Sequence, residues 1–456
     1  MIAVLDFGKT NTKLLVFAAD GQVRHSARTR PVWRMIDGVS VLDDAALAQW
    51  AHAALEEADA ACAGEMMGVM VAAHGCTFAL TDADGLARPI LDYEQELPGP
   101  FADAVHAGLP PYSETFAPPR PQGFNYGRHL LWLQHLEPDV LARTGAILGY
   151  PQYWSWRLGG RPAAEYSYMG CHSHIWAPAR RDFASVVAEQ GWREKMPDFA
   201  PAGAVIGELK LADRAIAVHN GVHDSNAALH AYRSVSDAPF TLVSTGTWVI
   251  IFNPDCPLDA LDARFDHYCN VDVNGDPVPT IGFMGGREFD VIAGDAVPAV
   301  DRASIQRVID QRIMVPPAFA AAGPFGHVPA PALPPMRDAA ERAAVAMLYV
   351  ALMTDFCLDS IRSDTDLVLD GGLASGGVLA ELLAQLRPRQ VVKQAEMNEG
   401  TAAGAASLAF AAHGVRLELP RPAPVVPSNF VGLDEYRRQW RANLPSIDGT
   451  IARSAA

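Results

Sequence analysis

Four short stretches of this chain pair glycine with groups able to hold or deprotonate a polar ligand. Asp6-Phe7-Gly8-Lys9-Thr10-Asn11-Thr12-Lys13 sets a carboxylate at the end of an apolar run, then a glycine-hydroxyl turn. Backbone N–H groups in such a turn can face phosphate oxygens, and Asp6 would stand near a bound magnesium ion. The Gly8-Lys9-Thr10 ending is not a Walker motif, because the required upstream glycine position holds Ala3. Ser244-Thr245-Gly246-Thr247-Trp248 is a second turn of the same kind, and two such turns could grip a triphosphate. In Gly221-Val222-His223-Asp224 the aspartate follows the apolar run Ala215 to Val218 and falls at a helix start, where its charge is stabilised. Phosphoryl transfer to an alcohol needs a carboxylate within hydrogen-bond reach of the attacking hydroxyl, and Asp224 is placed for that task. Asp370-Gly371-Gly372-Leu373-Ala374-Ser375-Gly376-Gly377 lets backbone approach a flat ligand closely, and its spacing does not fit a dinucleotide fingerprint. Taken singly, each stretch also reads as an ordinary hairpin, N-cap or strand-helix connection.

Other polar residues leave two readings open. His74, after the run Met67 to Ala73, could touch a polar ligand or be a satisfied buried histidine, and Asp92-Tyr93-Glu94 is equally ambiguous. Cys171-His172-Ser173-His174 has metal-binding residue types but no complementary cluster elsewhere.

The elements that must position these residues follow from pattern. Ile2 to Asp6, Lys13 to Ala18 and Val23 to Arg30 read as a strand meander. Asp43-Asp44 offers an N-cap to a helix ending near Cys62 with Leu47, Trp50 and Leu55 on one face, and Met67 to Ala73 reads as a buried strand. The second half repeats this order. Phe240 to Ser244 and Trp248 to Phe252 form a strand pair, Asn274-Gly275 marks a hairpin, and a helix from Asp338 to about Ile361 leads into the strand Asp366 to Leu369. The repetition predicts an internal duplication of architecture. A polar stretch from Tyr232 to Pro239 predicts domains at 1–233 and 234–456.

Composition sets outer bounds. With 456 residues, half of them apolar, the chain can build two sizeable cores. Thirty-six basic against 52 acidic residues give a net charge of −16, which argues against nucleic acid and anionic membranes as partners. The N-terminus lacks a basic segment followed by a long apolar one, and the six cysteines are scattered singly, so a cytoplasmic protein is expected.

Together and in this order, the motifs resemble the FGGY family of carbohydrate kinases over nearly the whole chain. Asp6 to Lys13 and Ser244 to Trp248 resemble its phosphate motifs, and Asp224 stands at its catalytic aspartate. Phe124-Asn125-Tyr126, Gly285-Gly286-Arg287-Glu288, Asp370-Gly371-Gly372 and the run beginning Glu399-Gly400-Thr401 also correspond. The resemblance implies an α/β fold of two ribonuclease-H-like, actin-like ATPase domains with nucleotide and sugar between them. It implies magnesium with ATP, phosphate contacts at Gly8, Thr10, Asn11, Lys13, Thr245, Gly246 and Thr247, and adenosine contacts at Gly371, Gly372, Leu373 and Ser375. It implies sugar contacts at His74, Asp92, His223 and Asp224, and a possible homodimer. His223 before the aspartate is similar to the L-rhamnulose and L-fuculose kinase branch, so a ketose is the expected acceptor. Lys9 and Gly376 depart from the family pattern. The rivals are a non-metabolic actin-like ATPase and a catalytically silent sugar-binding regulator.

Overall fold

The structure is a computed structural model that describes residues 1–96, 98–211, 213–294, 298–395, 397 and 399–447. Its contacts divide the chain into two units. Unit 1 comprises Met1–Val235, Cys269–Pro277 and Glu399–Leu419; unit 2 comprises Ser236–Tyr268, Val278–Asn398 and Pro420–Ala456. These are not the contiguous segments 1–233 and 234–456 expected from composition. Helix Gly400–Ala412 returns to unit 1 because its Gly404 lies flush against helix Asp224–Val235: a Cβ there would stand 1.8 Å from the Ala227 carbonyl oxygen.

Unit 1 is built on strands Ile2–Phe7, Thr12–Phe17 and Val23–Thr29, an antiparallel meander. Its first strand runs parallel to Gly68–Ala73, which helix Asp44–Ala61 connects to the meander. Strands Val222–His223 and Arg214–His219 extend the sheet beyond Gly68–Ala73. Ile2, Ala3, Val4 and Leu5 are fully buried, as expected where both faces of a sheet are covered. The helix begins as predicted, with Asp43 accepting from the Ala46 N–H at 3.3 Å, and buries Leu47, Ala51, Leu55 and Ala58; Trp50 is half-buried at the rim. An unpredicted hairpin, Trp33–Ile36 with Val39–Leu42, fills the loop before it.

Unit 2 repeats the plan. Phe240–Thr245 pairs antiparallel with Val249–Phe252, which pairs with Pro277–Phe283, and Phe240–Thr245 lies parallel to Asp366–Gly371. The intervening helix is Ala339–Ser360, capped by Asp338. It is long and apolar enough to cross a membrane, but 83% of its apolar window is buried, which makes it the core helix of this unit. The predicted duplication is therefore present as matching sheet topologies. The tail helix Leu433–Ala442 is fastened to the same core by Tyr436 and Trp440 and by Arg437 and Arg441 on the buried Asp355.

Candidate active site

Register alone brings three candidate residues of unit 1 to one level. In the parallel pairs, Asp6 lies opposite Ala72 and Phe7 opposite Ala73, while Val222 lies opposite Ala72 and His223 opposite Ala73. Asp6, His74 and Asp224 therefore stand together at the carboxyl ends of three parallel strands, the end at which open α/β sheets bind ligands. Lys13 faces Asp6 across the antiparallel pair. Gly8 is required between them, because a Cβ there would approach the Asn11 carbonyl oxygen to 2.7 Å. Thr10 and Asn11 are exposed at the tip of the turn.

Asp6 is half-buried, and its carboxyl is pushed up to about 7, first by burial and then by the Asp224 charge. Glu399 pushes in the same direction and Lys13 against it. Lys13 is held by Glu399, Nζ to Oε2 at 2.9 Å, in a pair exposed enough to contribute no more than about 1 kcal/mol, so an incoming phosphate can displace the carboxylate. Glu399 is a site neighbour that sequence reading assigned no role, because it lies 386 residues from Lys13. An acid whose pKa rises on folding stabilises the folded state less as pH climbs from its unfolded value, near 4, toward 7. Urea titration of the metal-free protein is expected to show stability falling across that window, and Asp6→Asn to flatten the fall.

Asp224 opens helix Asp224–Val235, and its Oδ1 accepts from the Ser225 N–H and hydroxyl. His223 Nε2 lies 3.4 Å from the same oxygen. The Asn226 amide donates to His223 Nδ1 at 3.1 Å, which leaves the ring proton on Nε2, directed at Asp224. Burial holds the ring below the ordinary histidine range against the opposing pull of Asp224, so this histidine is neutral at physiological pH. Gly75 gives it room: a Cβ there would stand 2.8 Å from His223 Nε2.

His74 is buried, its ring between Tyr93 and Tyr150 at centroid distances of 5.3 and 4.9 Å. Its Nδ1–H donates to the Gly75 carbonyl at 2.8 Å, and burial lowers its pKa to about 4. Lys9 forms ion pairs with Asp92 and, at 3.7 Å, with Glu94, its ammonium 4.0 Å above the Trp33 ring. Asp92 also accepts from the Ser40 hydroxyl at 3.2 Å. The Lys9 cation is thus committed to carboxylates and not to a phosphate.

In unit 2 the corresponding strand end is Thr245. Thr245 is buried; its hydroxyl donates to the Asp370 carbonyl at 2.7 Å and accepts from the Ala374 N–H at 3.2 Å. This side chain buttresses the 370–374 loop. Gly246 and Thr247 are exposed and keep the expected role open, as do Gly371, Gly372 and Ser375, with Leu373 half-buried. Gly371 takes φ +95°, and a Cβ on it would meet the Thr245 carbonyl oxygen at 1.9 Å. Glu288 is a structural hub, accepting from the Phe319 and Ala320 N–H groups and the Tyr349 hydroxyl. Thr245→Val is expected to destabilise the protein by about 2 kcal/mol, since it deletes two hydrogen bonds worth about 1 kcal/mol each that shape the loop. Urea titration checks it.

The metal reading of Cys171, His172 and His174 gains no support: among the described residues no group of three or more His, Cys, Asp and Glu is set to hold an ion. Cys171 instead accepts from Asn226 at 3.0 Å, and His174 is buried and neutral, its pKa lowered to about 3 by burial. Asp6 suits magnesium for a different reason. It is a carboxylate at a strand end whose pKa is raised first by burial and then by a second carboxylate, Asp224, and magnesium bound to nucleotide needs few protein ligands besides water and phosphate.

Two units of ribonuclease-H-like topology, each with a glycine-hydroxyl turn after its first strand, define an actin-like ATPase, and the aspartate at a strand end suits a kinase within that class. Residues 237–417 match the C-terminal domain of the FGGY carbohydrate kinases. A carbohydrate kinase from Novosphingobium aromaticivorans is 31% identical and superimposes with a TM-score of 0.88 over 96% of this chain and 99% of its own. The xylulose kinase from Rhodospirillum rubrum (18% identity, TM-score 0.73, 96% and 97% of the two chains) shares the fold. So does Plasmodium falciparum glycerol kinase with ADP (12% identity, TM-score 0.76, 97% and 96%). No curated protein matches by sequence. The chain belongs to the FGGY family of carbohydrate kinases and is an ATP-dependent sugar kinase.

Proposed function

We propose that the enzyme transfers the γ-phosphoryl group of magnesium-ATP to a hydroxyl of a ketose, with a 6-deoxyketose of the L-rhamnulose or L-fuculose type as the first candidate. The observation that carries the reading is the convergence of Asp6, His74 and Asp224 at neighbouring strand ends of unit 1. His223 before the aspartate favours the deoxyketose branch, and the xylulose kinases among the similar structures act, by name, on a ketose.

In this reading Asp224 accepts the proton of the attacking hydroxyl, and the neutral His223 Nε2–H holds its carboxylate in place. The turn Gly8–Asn11 and Lys13, and the turn at Gly246 and Thr247, contact phosphate, and backbone at Gly371, Gly372, Leu373 and Ser375 receives adenosine. Asp6 would hold a magnesium ion, which would offset charge on the phosphates. His74 and Asp92 contact the sugar. The six cysteines are buried and unpaired, which fits a reducing compartment, and we assign the enzyme to the cytoplasm, as a homodimer by family resemblance.

The test is ADP release from ATP and magnesium across ketoses, polyols and sugar acids. One ketose should stimulate release strongly, and that stimulation should vanish in Asp224→Ala. ATP hydrolysis indifferent to every sugar would sink the proposal in favour of a non-metabolic ATPase, and sugar binding without turnover would favour a silent regulator.

A further inference from the structure

Asp224 stands at the end of a line of buried hydrogen bonds that begins at Cys171. The Cys171 thiol donates to the Val271 carbonyl at 3.8 Å, which leaves its sulfur an acceptor, and the Asn226 side-chain amide donates to that sulfur at 3.0 Å. The second N–H of the amide donates to His223 Nδ1 at 3.1 Å, and His223 Nε2 lies 3.4 Å from Asp224 Oδ1. All of these residues belong to unit 1, and Cys171, Asn226 and His223 are only 1–2% exposed, so water does not reset the pattern.

The polarity of the line is set from its far end. Turned over, the Asn226 amide would offer its oxygen to a sulfur whose proton is already given to Val271, and to a bare ring nitrogen: acceptors would face acceptors. As it stands, Asn226 Oδ1 is buried and meets no donor among the described residues, a cost the fold accepts in order to keep the N–H on His223. A ring nitrogen that accepts a hydrogen bond carries no proton of its own, so His223 is held to a single proton, on Nε2, against the pull of the Asp224 carboxylate. A cationic ring would pair with Asp224 and weaken it as a base. The other groups around the ring add no rival charge. His172 and Tyr168 lie 5.8 and 6.0 Å from it between ring centroids, and burial keeps His172, His74 and the Tyr168 hydroxyl uncharged. Glu165 reaches it only through the Ser167 hydroxyl, which accepts from the His223 backbone N–H at 3.4 Å. The charge of Arg120 acts on His172 and opposes a proton there.

We propose that Asn226 is a positioning residue for the catalytic base: it turns an N–H toward His223 Nδ1, in an orientation that the Cys171 thiol fixes, and so keeps His223 a neutral donor and Asp224 an unpaired carboxylate. This rests on the reading of Asp224 as the base and adds what maintains it as one. The ¹⁵N resonances of the His223 ring test it in the substrate-free protein, where wild type should show one neutral form, protonated on Nε2, at about pH 7. Asn226→Asp keeps the shape of the side chain but can only accept from Nδ1. Its His223 ring should be cationic at that pH, with kcat at least about tenfold below wild type and recovering as rising pH removes the second proton. Cys171→Ala, which frees the amide to turn, should raise the proton affinity of the ring at least about tenfold. Cys171→Ser, whose hydroxyl can still donate to Val271 and accept from Asn226, should keep the wild-type ring titration. A wild-type ring with its proton on Nδ1, or an Asn226→Asp ring that stays neutral with an unchanged pH profile, overturns the inference and leaves Asp224 as the base. Normal turnover by Asp224→Asn overturns the base reading and the inference together.

Discussion

Asp224→Asn is expected to lower kcat roughly 10³-fold while leaving the dissociation constant for ATP and the unfolding transition close to wild type. The amide has the shape of the carboxylate and can still accept from Ser225, so the helix start is preserved. What it lacks is the capacity to take the hydroxyl proton, a contribution worth about 10²–10⁴ in rate. It also removes the negative charge that, after burial, contributes most to raising the Asp6 pKa. Asp6 in the variant should therefore titrate lower than about 7, visible as a shift in the carbonyl resonance of a ¹³C-labelled aspartate. A variant that keeps near-normal turnover would remove Asp224 from the chemistry.

The second large effect is structural. Gly404→Ala is expected to destabilise unit 1 by about 3 kcal/mol, lowering the thermal midpoint by roughly 6 °C or more. The added methyl would sit 1.8 Å from the Ala227 carbonyl oxygen, a backbone atom that cannot swing aside, so helix Gly400–Ala412 must lift from helix Asp224–Val235. The first of these helices begins just after Glu399, the partner of Lys13, and the second begins at Asp224. Displacement should consequently cost activity as well as stability. Gly372→Ala is the control: nothing lies within 4 Å of the added Cβ, and the melting temperature should not move.

Much of this arrangement was legible in the chain because it is local. The strand meander at the N-terminus, the Asp43 cap and the position of Asp224 at a helix start all follow from apolar runs, caps and turns. The hairpin Trp33–Ile36 with Val39–Leu42 was passed over although Asp37-Gly38 advertises it; the two residues take φ +50° and +80°, the left-handed pair such turns need. Its first strand is mostly exposed although apolar and its second mostly buried, so no single apolar face marked the pair. The return of Glu399–Leu419 to unit 1 was not legible, since it depends on packing between residues far apart in sequence, as where Gly404 meets the Ala227 carbonyl 177 residues away. The same holds for chemistry set by pairing at long range. Nothing in Gly8-Lys9-Thr10 tells that the lysine belongs to Asp92, or that the Thr245 hydroxyl serves the 370–374 loop.

The most direct test of the central claim follows the phosphoryl group itself. With γ-labelled ATP, magnesium and the preferred sugar, products are separated and the label traced. The account predicts label in a sugar phosphate, formed in equal amount with ADP by the wild type and undetectable with Asp224→Asn; label recovered as inorganic phosphate, with no phosphorylated sugar, would contradict it.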